Sequence, residues 1–293
     1  MHKFPATYQP DVNSTRCYSA SVIRYLLVMF MTVSAFYLQP CHAADRQNLF
    51  DWYYSAVFGT GAYSIAGRDV FLISGPYERT VREATPDNRE IVFTLPVTLG
   101  FYDYNVDSIT DLEIPTDVAM ATIFPGFYTI VPMSRRWTLK PFVNFGYGKE
   151  FAGGEEAFIY AGGVRSMFRM REDQWRLAFG NALYYAGNTR QGETDMGFAA
   201  FETAVDVSHA TGYAIQGQQL YLGPYAALYL FSNLEFIESD QTTFELDHQY
   251  EVGLSMSTQK PITILGAEFD RIGIGYLTAS NFKAWRLVFS LPY

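Results

Sequence analysis

The stretch Ile91-Val-Phe-Thr-Leu-Pro-Val-Thr-Leu-Gly-Phe101 alternates: Ile91, Phe93, Leu95, Val97, Leu99 and Phe101 fall on one face, Thr94, Thr98 and Gly100 on the other. Successive side chains of a strand point to opposite faces, so this is a strand pattern. Six large apolar residues on one face exceed what a half-buried strand of a soluble sheet needs. The run also has the length of a tilted strand crossing a bilayer.

The period returns along the chain. Trp137, Leu139, Val143, Phe145 and Tyr147 oppose Thr138, Lys140, Asn144 and Gly146. Over 244–256, Leu246, Tyr250, Val252 and Leu254 oppose Glu245, Asp247, Gln249, Glu251, Gly253 and Ser255. At the end, Trp285, Leu287, Phe289, Leu291 and Tyr293 oppose Ala284, Arg286, Val288 and Ser290. Apolar residues crowd the first face, small or charged ones the second, and aromatics gather at strand ends. A soluble barrel turns its apolar face inward; a membrane barrel turns it to lipid and lines its lumen with the polar face.

Further strands are predicted near 68–82, 117–132, 157–170, 174–187, 197–208, 217–231 and 270–278. A first one near 50–60 brings the total to twelve. The expected fold is therefore all-β, a transmembrane antiparallel β-barrel of about twelve strands with a small or closed lumen. Strict alternation of connections predicts tight internal turns at 134–136 and 171–174, and longer external loops at 104–117, 148–156, 187–195 and 232–243. Two connections fit poorly: 258–269 is long for an internal turn, and 279–281 is short for an external loop.

Composition agrees. Aromatic residues make up 17% of the 293 residues and charged residues only 17%, which excludes a disordered chain. The one long apolar run lies near the N-terminus, so a helical membrane protein is excluded too. A formal net charge of −9 argues against nucleic acid as a partner.

That apolar run, Tyr25 to Leu38, follows Lys3, Arg16 and Arg24 and precedes Pro40 and Cys41-His-Ala43. Basic flank, apolar core and small residues before a cleavage point are the parts of a secretory signal peptide, so residues 1–43 are expected to be removed after Ala43. Gln39-Pro40 before Cys41 fits a lipoprotein signal poorly, and an uncut membrane anchor is the alternative reading. Removal takes away both cysteines, Cys17 and Cys41, and shifts the formal charge to −11. The remaining domain, 44–293, then has neither disulfides nor thiolate chemistry. Residues 45–59 carry Leu49, Trp52, Tyr53, Ala56 and Val57 at helical spacing, so they read equally as a short helix in the lumen or as the first strand.

Little in this domain points to catalysis. His209 is expected in an internal turn and His248 on the lipid face of an external half-strand; both read as structural, and no enzymatic activity is expected. Gly59-Thr-Gly61 lacks the third glycine of a phosphate loop. No metal or cofactor site is expected. Acidic pairs such as Glu155-Glu156 and Glu238-Ser-Asp240 read as solvated loop charges, with divalent bridging to lipopolysaccharide as the functional alternative.

The informative charges are those expected inside. Inward parity assigns Arg136, Lys140, Arg165, Arg169, Arg176, Arg271 and Arg286 to the lumen, with Glu202, Asp206, Glu245, Asp247 and Glu251 as their opposite numbers. In a narrow barrel they either pair across a mostly closed lumen or orient a small solute in a pore.

The closing segment, Arg271-Ile-Gly-Ile-Gly-Tyr276 followed by 281–293, resembles the last hairpin of bacterial outer-membrane barrels. The alternating apolar residues Trp285, Leu287, Phe289 and Leu291 before a terminal Tyr293 look like the signal read by the barrel-assembly machinery; Pro292 departs from that pattern. With its strand count the chain resembles a solitary autotransporter-type β-barrel domain. The resemblance implies a Gram-negative outer-membrane location, contact with outer-membrane lipid and lipopolysaccharide, and assembly by that machinery. No passenger is expected before the first element. The function expected is that of a structural protein or narrow, porin-like solute channel of unknown solute. An outer-membrane enzyme acting on lipid or peptide, or a soluble exported β protein, are the alternatives.

Overall fold

The computed structural model of the chain describes residues 56, 59–65, 68–75, 77–86, 88–102, 118–151, 154–190, 196–232, 234–237, 243–264 and 267–289. The chain divides into two units, Met1–Ala44 and Asp45–Tyr293. The expected export signal lies outside the described residues, as do Leu291 and Tyr293 of the closing segment. So does most of 45–59.

The strands are β1 (Gly61–Ile65), β2 (Arg68–Gly75), β3 (Glu78–Arg82), β4 (Glu90–Thr94), β5 (Val97–Tyr102), β6 (Met120–Ile123), β7 (Gly126–Pro132), β8 (Trp137–Glu150) and β9 (Glu156–Glu172). There follow β10 (Trp175–Arg190), β11 (Met196–Ile215), β12 (Gln218–Ser232), β13 (Glu235–Ile237), β14 (Thr243–Glu245), β15 (His248–Ile264), β16 (Ala267–Ala279) and β17 (Phe282–Val288). All pairings are antiparallel. One sheet runs from β9 through β10, β11, β12, β15, β16, β17, β1, β2, β5 and β6 to β8, which pairs back onto β9. The sheet is a closed barrel. Three staves are each built of two segments, β2 with β3, β4 with β5, and β6 with β7, so seventeen strands make twelve staves, while β13 and β14 form a separate hairpin. No helix among the described residues is long and apolar enough to cross a membrane, and a barrel crosses with strands.

The predicted strand at 91–101 thus has a break at Leu95-Pro96, and the one at 117–132 a break at Phe124-Pro125. Proline cannot donate to a ladder, and the stave is interrupted at these two, whereas Pro141 in β8 and Pro224 in β12 sit within continuous strands. Register survives the interruption: Thr94 faces Gly126 on one side of it and Val97 faces Ile123 on the other. Three bonds bridge the gap, from Leu95 N to Tyr77 O (2.7 Å), Phe124 N to Pro96 O (3.0 Å) and Phe145 N to Pro125 O (2.9 Å). The Asn144 side chain donates to Phe124 O at 3.1 Å, and a Cβ on Gly126 would occupy the space that side chain takes.

The first described strand is Gly61–Ile65, and most of the strand expected near 50–60 lies outside the described residues. Two further sequence expectations are corrected. The long connection expected at 258–269 is mostly strand, because β15 continues past Pro261 to Ile264 through a register shift after Ser257, leaving two residues before β16. His209 lies within β11, which runs on to Ile215, so it is no turn residue.

Connections alternate between the two mouths. At one end lie the tight turns 173–174 and 216–217; the strand ends at the other flank the connections 103–119, 151–155, 191–195 and 233–247. The turn 280–281 at that second end is short, as its sequence indicated.

Candidate functional site

Parity on the long strands sorts side chains cleanly. On β8, Phe142, Asn144 and Gly146 are buried, while Trp137, Val143, Phe145 and Tyr147 are exposed on the outer face. On β15, Gln249, Glu251 and Ser255 are buried, while Tyr250, Val252 and Leu254 are exposed. The inward face carries the buried charged residues, together with buried apolar ones such as Leu72, Met120, Ile159, Phe198 and Phe282. Outer aromatics collect near both mouths: Trp137, Trp175 and Tyr213 at the tight-turn end, and Phe145, Tyr147, Tyr185, Tyr250 and Trp285 at the other. Leu183, Val205 and Leu254 occupy the wall between.

Inside, Glu251 is 0% exposed and is the acceptor at the centre of a network. Tyr225 Oη donates to its Oε1 at 2.7 Å and Tyr229 Oη to its Oε2 at 2.6 Å. Arg286 Nε donates to Oε1 at 2.8 Å, and Arg286 Nη2 closes an ion pair with Oε2 while also donating to Tyr229 Oη. A buried carboxylate needs such compensation, since desolvation of an unpaired charge costs several kcal/mol (~3–5).

Glycines make room for it. Tyr225 faces Gly253 in register, Gly253 faces Gly275, Gly275 faces Arg286, and Arg286 faces Gly61. A Cβ at Gly253 would overlap the Tyr225 ring, and one at Gly275 would overlap both Tyr225 Oη and the Glu251 carboxylate. The tyrosine lies flat across two strands because neither has a side chain there.

Two smaller clusters flank this hub. Asp206 pairs with Arg271 and accepts from Ser255 Oγ at 2.9 Å; Glu202 accepts from Tyr184 Oη at 2.6 Å. Lys140 lies over the Tyr128 ring at 5.1 Å, and Arg165 over the Phe142 ring at 4.2 Å. Arg176 lies over the Tyr221 ring at 3.4 Å and donates to Thr258 O at 2.8 Å.

Of the charges assigned to the lumen by parity, Lys140, Arg165, Arg169, Arg176, Glu202, Asp206, Glu251, Arg271 and Arg286 stand on inward positions of strands. Three do not. Arg136 lies in the exposed turn before β8. Glu245 ends the β13–β14 hairpin, and Asp247 is exposed just before β15, because the stave begins only at His248. The alternation that placed them inside belongs to a loop hairpin.

Parity alone missed the tyrosines. Tyr63, Tyr184, Tyr225 and Tyr229 all point inward and are buried. The signal available was Tyr225 at inward parity among Gly223, Gly253 and Gly275, a bulky residue on a face otherwise kept small.

The closing strand places Trp285 and Leu287 on the outer face, Trp285 against Tyr276 at 5.0 Å and Phe289 against Phe269 at 5.1 Å. His209 meets Trp175 edge-on at 4.6 Å and His248 meets Tyr250 at 5.3 Å, on the outer face near opposite mouths. Among the described residues no group of three or more His, Cys, Asp or Glu is placed to hold a metal ion.

Three solved structures are similar to this barrel. One is the β domain of the Bordetella autotransporter BrkA, with a TM-score of 0.48 at 11% identity, covering 78% of this chain and 93% of that one. The KdgM porin, solved with disordered oligogalacturonate, gives 0.37 at 10% identity over 78% and 93%. LpxR from Salmonella typhimurium gives 0.40 at 10% identity over 78% and 90%. Neither a family model nor a curated relative matches the sequence.

Proposed function

We propose that the chain is a bacterial outer-membrane barrel without enzymatic activity, whose interior is sealed by a packed core of paired charges, tyrosines and apolar side chains, so that it acts as a structural membrane protein and not as an open solute channel. The observation that carries this reading is the reversal of polarity. The outer face exposes Leu183, Val205, Val252 and Leu254 between two aromatic zones, while Glu251, Asp206 and Arg271 are buried inside. Lipid favours such a face, and water does not.

The sealed interior is supported by the burial of the hub. A solute pore requires charged groups that meet the permeant, and the Glu251 carboxylate is instead saturated by Tyr225, Tyr229 and Arg286. The outer membrane is favoured over other membranes by the export signal expected in residues 1–43 and by the closing sequence, whose alternating Trp285, Leu287, Phe289, Leu291 and Tyr293 resemble a signal for the assembly machinery. Lipid and lipopolysaccharide are the partners this reading implies, the latter through acidic residues such as Glu155 and Glu156. The absence of enzymatic activity is favoured by the two histidines, each engaged with an aromatic ring on the outer face.

Membrane fractionation tests the first half: recovery in the membrane pellet, released only by detergent, is expected, and a soluble periplasmic pool overturns it. Planar-bilayer conductance of refolded protein tests the second. Silence is expected; steady ohmic steps overturn the seal.

A further inference from the structure

Arg165, Arg169 and Arg171 share the inward face of β9, and Arg176 stands on the inward face of β10 directly opposite Arg171. Lys140 stands directly opposite Arg165. Like charges facing each other across a ladder destabilise a sheet unless something lies between them. Among the described residues, none of these four arginines has an ion-pair partner. Of the carboxylates on the same wall, Asp206 is engaged by Arg271 and Ser255, and Glu202, which accepts from Tyr184, faces the charge of Arg165 across Ala182 without closing an ion pair with it. Glu172, next to Arg171, falls on the outward parity of β9.

The guanidiniums are also held ready. The rings of Phe142 and Tyr221 lie 4.2 and 3.4 Å from the guanidinium carbons of Arg165 and Arg176, contacts that restrain both groups without neutralising their charge. Arg176 spends Nη1 on Thr258 O, while its buried Nε has no partner. Arg271, only 6% exposed, likewise carries a buried Nη1 with no partner. Buried donors without acceptors are rare, and each costs stability. Arg169 and Arg171 are exposed where β9 reaches the tight-turn mouth.

From Arg165 to Arg171 is six residues of strand, about 20 Å. A single phosphate spans a fraction of that. At the other mouth Glu156 is paired with Lys149, and exposed Glu245 and Asp247 repel an approaching anion.

We infer that the tight-turn mouth of the barrel is a binding site for a linear polyanion, a ligand carrying several phosphate or carboxylate groups in a row, gripped by Arg165, Arg169, Arg171 and Arg176. Guanidinium forks match either oxyanion bidentately, which is why the two chemistries share one site. The site needs only the barrel geometry. It is independent of where the protein resides and of whether the lumen conducts.

The test is calorimetric titration of the refolded full-length chain in detergent micelles at low salt, with inorganic tripolyphosphate, inorganic orthophosphate and a hexaglutamate peptide as probes. Tripolyphosphate or hexaglutamate is expected to bind at least about tenfold more tightly than orthophosphate, and whichever binds identifies the chemistry. Arg165→Gln, Arg171→Gln and Arg176→Gln should each weaken that probe about tenfold, with a shallower salt dependence, and Lys149→Gln at the other mouth should leave it unchanged. Arg171→Gln, at an exposed strand end, keeps the test valid if an inner variant fails to fold. Orthophosphate binding as tightly as the longer probes, none of the probes binding, or Arg171→Gln retaining full affinity each overturns the inference. Loss on Lys149→Gln equal to that on Arg171→Gln also overturns it.

Discussion

Arg286 reaches from β17 past β16 to Glu251 on β15, and its Nε and Nη2 take one carboxylate oxygen each. The two residues are 35 positions apart in sequence, yet they tie three neighbouring staves into one unit. The pair stands where a soluble domain would have packed leucines.

Removing one partner strands the other. Arg286→Met leaves Glu251 buried with only the two tyrosine hydroxyls, and is expected to cost about 3–5 kcal/mol. Glu251→Gln combined with Arg286→Met should cost clearly less than that single change. Urea unfolding in detergent or vesicles reads both; a double variant worse than Arg286→Met sinks the account.

The glycine row predicts a steric effect. Gly275→Val is expected to destabilise the barrel by about 1–3 kcal/mol through overlap with Tyr225 and Glu251. Gly75→Ala, where no atom lies within 4 Å, is the control and should be near neutral. Adding Tyr225→Phe to Gly275→Val should recover part of the loss. Thermal unfolding followed by gel mobility separates the outcomes.

The outer face predicts a dependence on depth. Val205→Arg, midway along β11, should cost about 2–4 kcal/mol on folding into lipid vesicles, and Tyr213→Arg near the tight-turn mouth about 0–1 kcal/mol. Equal penalties at the two sites would remove the case for a lipid-facing wall.

A turn offers the smallest test. Gln216 and Gly217, between β11 and β12, have φ of 51° and 74°, the left-handed pair of a two-residue hairpin. Gly217→Val is expected to cost about 1–2 kcal/mol, since a β-branched residue resists that region. Folding kinetics of the variant should slow if this hairpin forms early.

Alternation made the fold legible because lipid leaves each stave with one apolar and one polar face over its whole length. The pattern of 91–101 and that of 137–147 both return as staves with the parity they announced. Pro96 and Pro125 broke staves that periodicity ran straight through, since a proline on either face leaves the alternation of its neighbours intact. The same logic misplaced Glu245 and Asp247: a loop hairpin alternates like a stave. The interior was legible as charges but not as a network. Which carboxylate meets which cation depends on stagger between strands, and no local pattern encodes that. Tyr225 reached Glu251 only because Gly253 and Gly275, on two other strands, leave the path open.

The junction of β1 with β17 spans five register pairs, from Gly61 opposite Arg286 to Ile65 opposite Phe282, with one further bond from Leu287 N to Thr60 O. The junction of β9 with β10 spans sixteen. The junction of β1 with β2 is as short, at five pairs, so the perimeter is thin on both sides of β1. Pulled from its C-terminus, the molecule should unzip there first, shedding β17 as a single mechanical step before any long stave yields.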